Sequence, residues 1–324
     1  MKRALSLIGP LVGLLVATGI VFEATAARVD ARTHRPPGVV LRVDGYDMHL
    51  RCTGTGSPTV LLEAGAMAFF STWRHVQSHV GDRTRVCAYD RAGYGWSAPR
   101  PFDTEPSHLR ALLRAAGEEG PFLVVGHSLG GHHARRFADA HRDEVVGLVL
   151  VDARHPDAAS KLPTYPRDLA TATATARLAS VLAHVGVTRI VGDLGGALRG
   201  LPDDARASIL ARSAPGRHWA TVLREIATLE ELDASVATLS TFDGLPVLVI
   251  AADAPSPGES AEARAAWFAL QKDLVAISNA ARLQVVDGSD HLSLLFDADH
   301  AAEVARGIAM LAASTSVSLG DAAP

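Results

Sequence analysis

The sequence predicts an α/β protein: a mostly parallel sheet of eight strands with helices on both faces. Three observations predict it. Short β-branched runs recur along the chain, helical patterns separate most of the later ones, and an Asp-Gly pair joins the first two. The runs are GVVLRV (38–43), YDMHLRC (46–52), TVLLEAG (59–65), TRVCAYD (84–90), PFLVVGH (121–127), VVGLVLVD (145–152), LPVLVIAAD (245–253) and ARLQVVDG (281–288). Asp44-Gly45 is a hairpin signal, so the sheet opens on an antiparallel edge. Helical patterns follow at 67–80, 105–117, 129–142, 261–279 and 298–312. Strands that alternate with helices give a parallel sheet covered on both sides. One interval breaks the rhythm. Residues 157–242 hold helical segments and the low-complexity TATATA (171–176) but no convincing strand, and are too long for a loop. They read as an inserted helical cap at the carboxyl ends of the strands, where open α/β sheets bind ligands.

The N-terminus departs from this pattern. After Lys2 and Arg3, residues 4–22 (ALSLIGPLVGLLVATGIVF) carry no charge until Glu23. Such a stretch either spans a membrane or is read by a secretion apparatus, and both routes export the rest of the chain. Its length favours a span, while Ala24-Thr25-Ala26 before Ala27 has the look of a cleavage site, so residues 1–27 are an anchor or a signal peptide. Residues 28–37 (RVDARTHRPP) read as a linker, 38–313 as the folded domain and 314–324 as a flexible tail. The chain of 324 residues is 48% hydrophobic with net charge −4. It has no basic block to meet phosphates, so nucleic acid is set aside as a partner. Two cysteines, Cys52 and Cys87, supply neither a disulfide scaffold nor a zinc site, and nothing implies a metal or another cofactor.

The stretch LVVGHSLGGHHARRF (123–137) carries chemistry. Gly-x-Ser-x-Gly between a strand and a helix makes a sharp turn that lifts the Ser128 hydroxyl above the sheet, and it requires glycine at 126 and 130. The pentapeptide alone is weak. Its place, fifth in a series of eight strands, strengthens it. Residues 38–312 resemble the α/β-hydrolase superfamily, in particular its cap-bearing, esterase-like members. LLEAGA stands where that family has its oxyanion loop, YDRAGYGWS (89–97) resembles the loop after strand four, GHSLGG is the elbow, and DGSDHLSLL (287–295) resembles the histidine loop.

The resemblance implies a serine hydrolase. A serine hydroxyl needs a base to take its proton, and the base needs a carboxylate behind it. His291 is the base implied, one of 14 histidines. The acid has two candidates. Most of the superfamily places it after strand seven as Gly-x-x-Asp, but VIAADAP puts Ala252 at the glycine and Pro255 at the acid, with Asp253 two positions early. Asp152 ends strand six, where haloalkane dehalogenases and some other members place it, and it is preferred over Asp253. Backbone N–H groups of Leu129 and Ala66 are the expected oxyanion donors. The family's usual histidine is absent from that loop because Ala64 stands there, so a ring that would brace it is missing. Asp90 and Arg91 read as a structural network beneath the site.

A serine nucleophile argues against dehalogenase and epoxide hydrolase, which this fold runs with an aspartate. It leaves carboxylic esters, thioesters or lactones as small-molecule substrates. Met67, Phe69, Phe70, Trp73 and Trp96 point to an apolar acyl pocket at the mouth. The reading from a different class is a membrane-tethered, non-catalytic binding protein on a hydrolase scaffold. In the superfamily's strand order strands two and four are neighbours, so Cys52 and Cys87 can bridge after export if the register aligns them.

Overall fold

The computed structural model describes residues 2–100 and 106–320. Its eight strands form one sheet: β1 (Val39–Val43), β2 (Tyr46–Thr53), β3 (Thr59–Glu63), β4 (Val86–Tyr89), β5 (Phe122–His127), β6 (Val145–Val151), β7 (Val247–Ala252) and β8 (Ala281–Val286), in the order 1-2-4-3-5-6-7-8. β1 and β2 form the expected hairpin, with Asp44 and Gly45 both at positive φ as a type I′ turn demands. β2 meets β4 antiparallel, and every later pairing is parallel.

Helix α1 (Lys2–Thr33) precedes the sheet. The helices that flank it are α2 (Arg74–Gly81), α3 (Pro106–Ala115) and α4 (Gly130–Ala140). Between β6 and β7 lie α5 (Ala158–Lys161), α6 (Tyr165–Leu182), α7 (Val187–Val191), α8 (Asp203–Ser213), α9 (Gly216–Ala227) and α10 (Leu229–Ala237), where the inserted helices are expected. After β7 come α11 (Ala261–Asp273), then α12 (Ser293–Phe296) and α13 (Ala298–Gly320) beyond β8.

Alternation within the strands divides the core into two layers. Val60, Leu62, Leu123 and Val125 face α2 and α13 and pack with Val76, Val304 and Ile308. Leu61, Phe122 and Val124 face α3 and α4 and pack with Leu112, Leu113 and Phe137. Buried on both sides, the sheet is a rigid floor whose strand ends can hold side chains in fixed positions.

Three expectations change. The linker at 28–37 is helical through Thr33, because nothing before Pro36 and Pro37 breaks a helix and Asp30 is held by Arg189 of α7. The tail expected at 314–324 continues α13 to Gly320, with the Ser316 hydroxyl donating to the Ser57 carbonyl at 2.7 Å; residues 321–324 lie outside the described residues. Three of the five residues expected at the mouth are not there: Phe69, Phe70 and Trp73 are buried in the core, because the chain after β3 folds straight back over the sheet as a 3-10 turn, Phe70–Trp73, that leads into α2, whereas Met67 is exposed and Trp96 half-buried. Cys52 and Cys87 are direct partners across β2 and β4 and are joined as a disulfide.

Candidate active site

Ser128 sits in the turn between β5 and α4 with φ of +53°, a conformation that side-chain-bearing residues rarely adopt. Its neighbours have no room for a side chain. A Cβ on Gly126 would lie 2.3 Å from the Gly130 carbonyl oxygen, and one on Gly130 would lie 2.3 Å from that of Glu63. The turn therefore closes only with glycine at both places, and the strain at Ser128 is held by packing from β3 on one side and α4 on the other. Leu129 is buried at the start of α4, so its N–H has no acceptor within the helix.

The sheet brings Asp152 and His291 together. Asp152 follows β6 at φ +40°, fully buried, with its N–H donating to the Ile250 carbonyl at 2.6 Å. His291 Nδ1 lies 2.7 Å from Asp152 Oδ2. Arg264 of α11 reaches both carboxylate oxygens at 3.1 and 3.2 Å, and the N–H of Ala252 donates to Oδ1 at 3.3 Å. Burial alone would raise the Asp152 pKa, but the hydrogen bond from His291 and the charge of Arg264 outweigh it and hold the carboxyl below its ordinary value. The group is an anion with every lone pair engaged. Asp253, the alternative acid, serves elsewhere: its Oδ1 accepts from the Gly288 N–H at 2.8 Å and steadies the turn that carries His291.

Ser128 adjoins this pair through its neighbours. The Ser128 N–H donates to Val151, the residue before Asp152, at 3.1 Å. His127 packs on the His291 ring with centroids 4.6 Å apart and donates from Nε2 to the His291 carbonyl at 3.0 Å. Burial, and then the nearby His291, push His127 down to about 3, so it is a neutral spacer. His132 points away, toward Asp233, which also takes Arg154.

The third component is the loop after β3. A Cβ on Gly65 would come within 3.2 Å of the Ser128 Cβ, so Gly65 lets the loop lie directly on the serine. Ala66 follows in an exposed turn. The missing histidine has a substitute in Arg91, which the sequence places in a structural network beneath the site without showing its partners. Arg91 donates to the carbonyls of Ala64, at 2.5 Å, and Gly65, at 2.7 Å, and pairs with Glu225 of α9 at 2.8 Å. Glu225 Oε2 in turn accepts from the Met67 N–H and the Tyr94 hydroxyl, each at 2.9 Å. Helix α9 thus holds the loop from above. Asp90, beside Arg91, takes the Phe70 and Trp96 N–H groups at 3.0 Å and pairs with His49, a structural role as expected.

A cleft of about 430 Å³ opens at His291 between α6 and α11. Its wall is mixed, with Tyr165 and Trp267 rings beside Arg167, Asp168, Ser256 and Glu259. Among the described residues the one cluster with metal-ligand spacing, Cys52, Cys87 and Glu118, is already engaged by the disulfide and by Arg85.

Comparison with known proteins shows the family and the fold. A model of the alpha/beta hydrolase family matches residues 54–306. Lipase LipV of Mycobacterium tuberculosis is 37% identical over 110 residues, which cover 33% of this chain and 41% of that protein. An uncharacterized Bacillus subtilis protein, YqjL, is 32% identical over 123 residues, 36% of this chain and 49% of its own. The matched stretch thus spans half or less of these relatives. Among solved structures, an epoxide hydrolase, CorEH, superposes with TM-score 0.61 at 19% identity, covering 83% of this chain and 97% of its own. An esterase from Thermogutta terrifontis gives 0.58 at 20%, covering 85% and 98%. At such identities the shared property is the fold.

Proposed function

The chain belongs to the alpha/beta hydrolase family, and from that premise we propose that it hydrolyses carboxylic esters through an acyl-enzyme on Ser128. One observation carries the reading: the 2.7 Å contact between His291 Nδ1 and an ionised, fully buried Asp152, set beside a serine on a positive-φ turn. An anionic Asp152 accepts from Nδ1–H, which leaves Nε2 of His291 as the lone-pair base. Nε2 takes the Ser128 proton as Oγ attacks the ester carbonyl. The N–H groups of Leu129 and Ala66 receive the oxyanion. As the tetrahedral intermediate collapses, the ester C–O bond breaks and His291 returns the proton to the leaving alcohol. Water, deprotonated by the same nitrogen, then cleaves the acyl-serine and restores the hydroxyl.

The family also includes epoxide hydrolases, but in the superfamily as described above that chemistry takes an aspartate, and position 128 is serine. The cleft joins apolar side chains, Leu162, Ala263, Tyr165 and Trp267, to a charged rim of Arg167, Asp168 and Glu259, which suits an ester with an apolar group and a polar substituent. The whole chain should turn over p-nitrophenyl acetate and take up a fluorophosphonate, and Ser128→Ala should lose both while keeping its thermal transition. Fluorophosphonate uptake at another serine in that variant sinks the assignment. A wild type that neither labels nor turns over any ester leaves the scaffold as a binding protein.

A further inference from the structure

Helix α1 does not stand clear of the folded domain. One stripe of it, Gly19, Glu23, Ala26, Ala27 and Asp30, is partly covered, while Leu14, Leu15, Val21 and Phe22 are exposed. The stripe lies on the inserted helices. A Cβ on Gly19 would sit 2.7 Å from the Val185 carbonyl oxygen, and Phe22 packs at Gly186. Arg189 of α7 clamps Glu23 at 2.9 Å and pairs with Asp30, and the His34 carbonyl accepts from Arg212 at 2.7 Å.

This docking sets a length problem. The described helix contains an apolar segment suited by length and composition to a membrane, Gly9–Thr33, none of it buried. The uncharged residues before the first cap contact are 4–18, about 22 Å at 1.5 Å per residue, against a hydrocarbon core of about 30 Å. The helix can span only if the turn at Gly19–Phe22, and the part of the cap packed on it, lie inside the leaflet rather than above it. The outer side of that part of the cap carries a set of exposed apolar side chains, with Arg177 and His184 exposed beside them. Leu178 and Val181 of α6, Ile190 and Val191 of α7, and Leu194 just beyond flank the contact, with Leu194 79% and Ile190 69% exposed. Exposed apolar side chains grouped on one face of a soluble domain mark a contact surface. Here the face adjoins an apolar helix whose missing length it supplies.

We propose that Leu178, Val181, Ile190, Val191 and Leu194 form a membrane-contact surface that enters the leaflet beside α1, so that the cap is seated in the lipid interface. The expected immersion is about 5 to 10 Å, the depth at which interfacial helices bury their apolar face. Glu23, the first charge after the apolar stretch, then lies at the lipid boundary and is neutralised there by Arg189.

The full chain reconstituted into phosphatidylcholine vesicles provides the test. Both native cysteines are in the disulfide, so one introduced cysteine carries an environment-sensitive nitrobenzoxadiazole label. Val181→Cys and Leu194→Cys report on the proposed face. Asp82→Cys, exposed where α2 hands over to β4 at the amino ends of the strands, reports on the opposite pole. Doxyl-labelled lipid should roughly halve the emission at 181 and 194, with a blue shift, and leave 82 unchanged. Vesicle-bound protein without quenching at 181 and 194 overturns the proposal, as does failure to float with vesicles. Disulfide cross-linking of Leu194→Cys between copies, without quenching, would identify a dimer face instead and overturn it equally.

Discussion

Asp152 and Glu225 are both buried carboxylates paired with an arginine, and they frame Ser128 from two sides, yet they are placed by different means. Asp152 is fixed by the sheet: a positive φ at the end of β6, an N–H bonded to β7, and Arg264 from the helix after β7. Glu225 is fixed by the inserted helices and reaches across to Arg91 and Met67. On the proposed reading, the proton-transfer half is set by the sheet ends and α11, whereas the oxyanion half also needs α9 docked. Substitutions on the two sides should separate along that line.

The largest effect belongs to the sheet side. Asp152→Asn keeps the shape but favours the wrong tautomer of His291, and kcat for ester hydrolysis should fall on the order of 10⁴. Asp253→Asn removes only a bond to the Gly288 N–H and should leave kcat within about tenfold. The reverse pattern would move the acid to the loop after β7 and break the comparison at its first term. Because the substitution also leaves Arg264 without its anion, the urea unfolding transition of each variant keeps lost stability apart from lost chemistry.

The same division separates what the sequence discloses from what it hides. Ser128, Asp152 and His291 each stand at a strand end inside a short local pattern, and strand order follows from the alternation of runs and helices. A reader of 123–137 sees the glycines that the elbow requires. The brace is invisible because its partners, Arg91 and Glu225, lie 134 residues apart, and no spacing rule joins a loop arginine to a glutamate on an inserted helix. Two traces remain: the missing ring at Ala64, which implies that something else holds the loop, and Arg91, read as part of a network beneath the site. The aromatic run at 69–73 misled for the opposite reason, since apolar residues near a site fill the core unless the backbone turns them outward. The continuation of α1 into the presumed linker depended on Arg189, again remote in sequence.

Glu225→Gln tests the cap side. The amide keeps the volume of the side chain but removes the charge that Arg91 and the Met67 N–H meet, so the loop is held less firmly against Ser128. Loosening one oxyanion donor should lower kcat on the order of 10²-fold with little change in KM. Fluorophosphonate uptake should slow in parallel, because phosphonylation develops charge on the same oxygen. A variant with normal turnover and a lowered melting temperature would reduce Glu225 to a structural strut and leave the oxyanion half independent of the cap.

The smallest effect is one of stability, and it lies beneath the loop that Glu225 holds. Glu63 ends β3, is 1% exposed and accepts from the Tyr89 hydroxyl at 2.6 Å. Burial raises its pKa to about 7, against the opposing pull of Arg91 and the Tyr89 bond. A folded pKa above the unfolded value of 4.5 means that the native state binds the proton more tightly. The stabilisation is thus fully present below pH 4.5 and is lost as pH rises through about 7, where the buried carboxyl must ionise. Glu63→Gln supplies a permanently neutral group of the same shape and has no such loss. Unfolding free energies measured in urea should show the variant gaining on the wild type by roughly 1 to 3 kcal/mol between pH 4.5 and pH 8. A difference that stays flat across this window would show that Arg91, already shared with Glu225, also keeps Glu63 ionised, and would tie the floor of the oxyanion loop to the same brace as its roof.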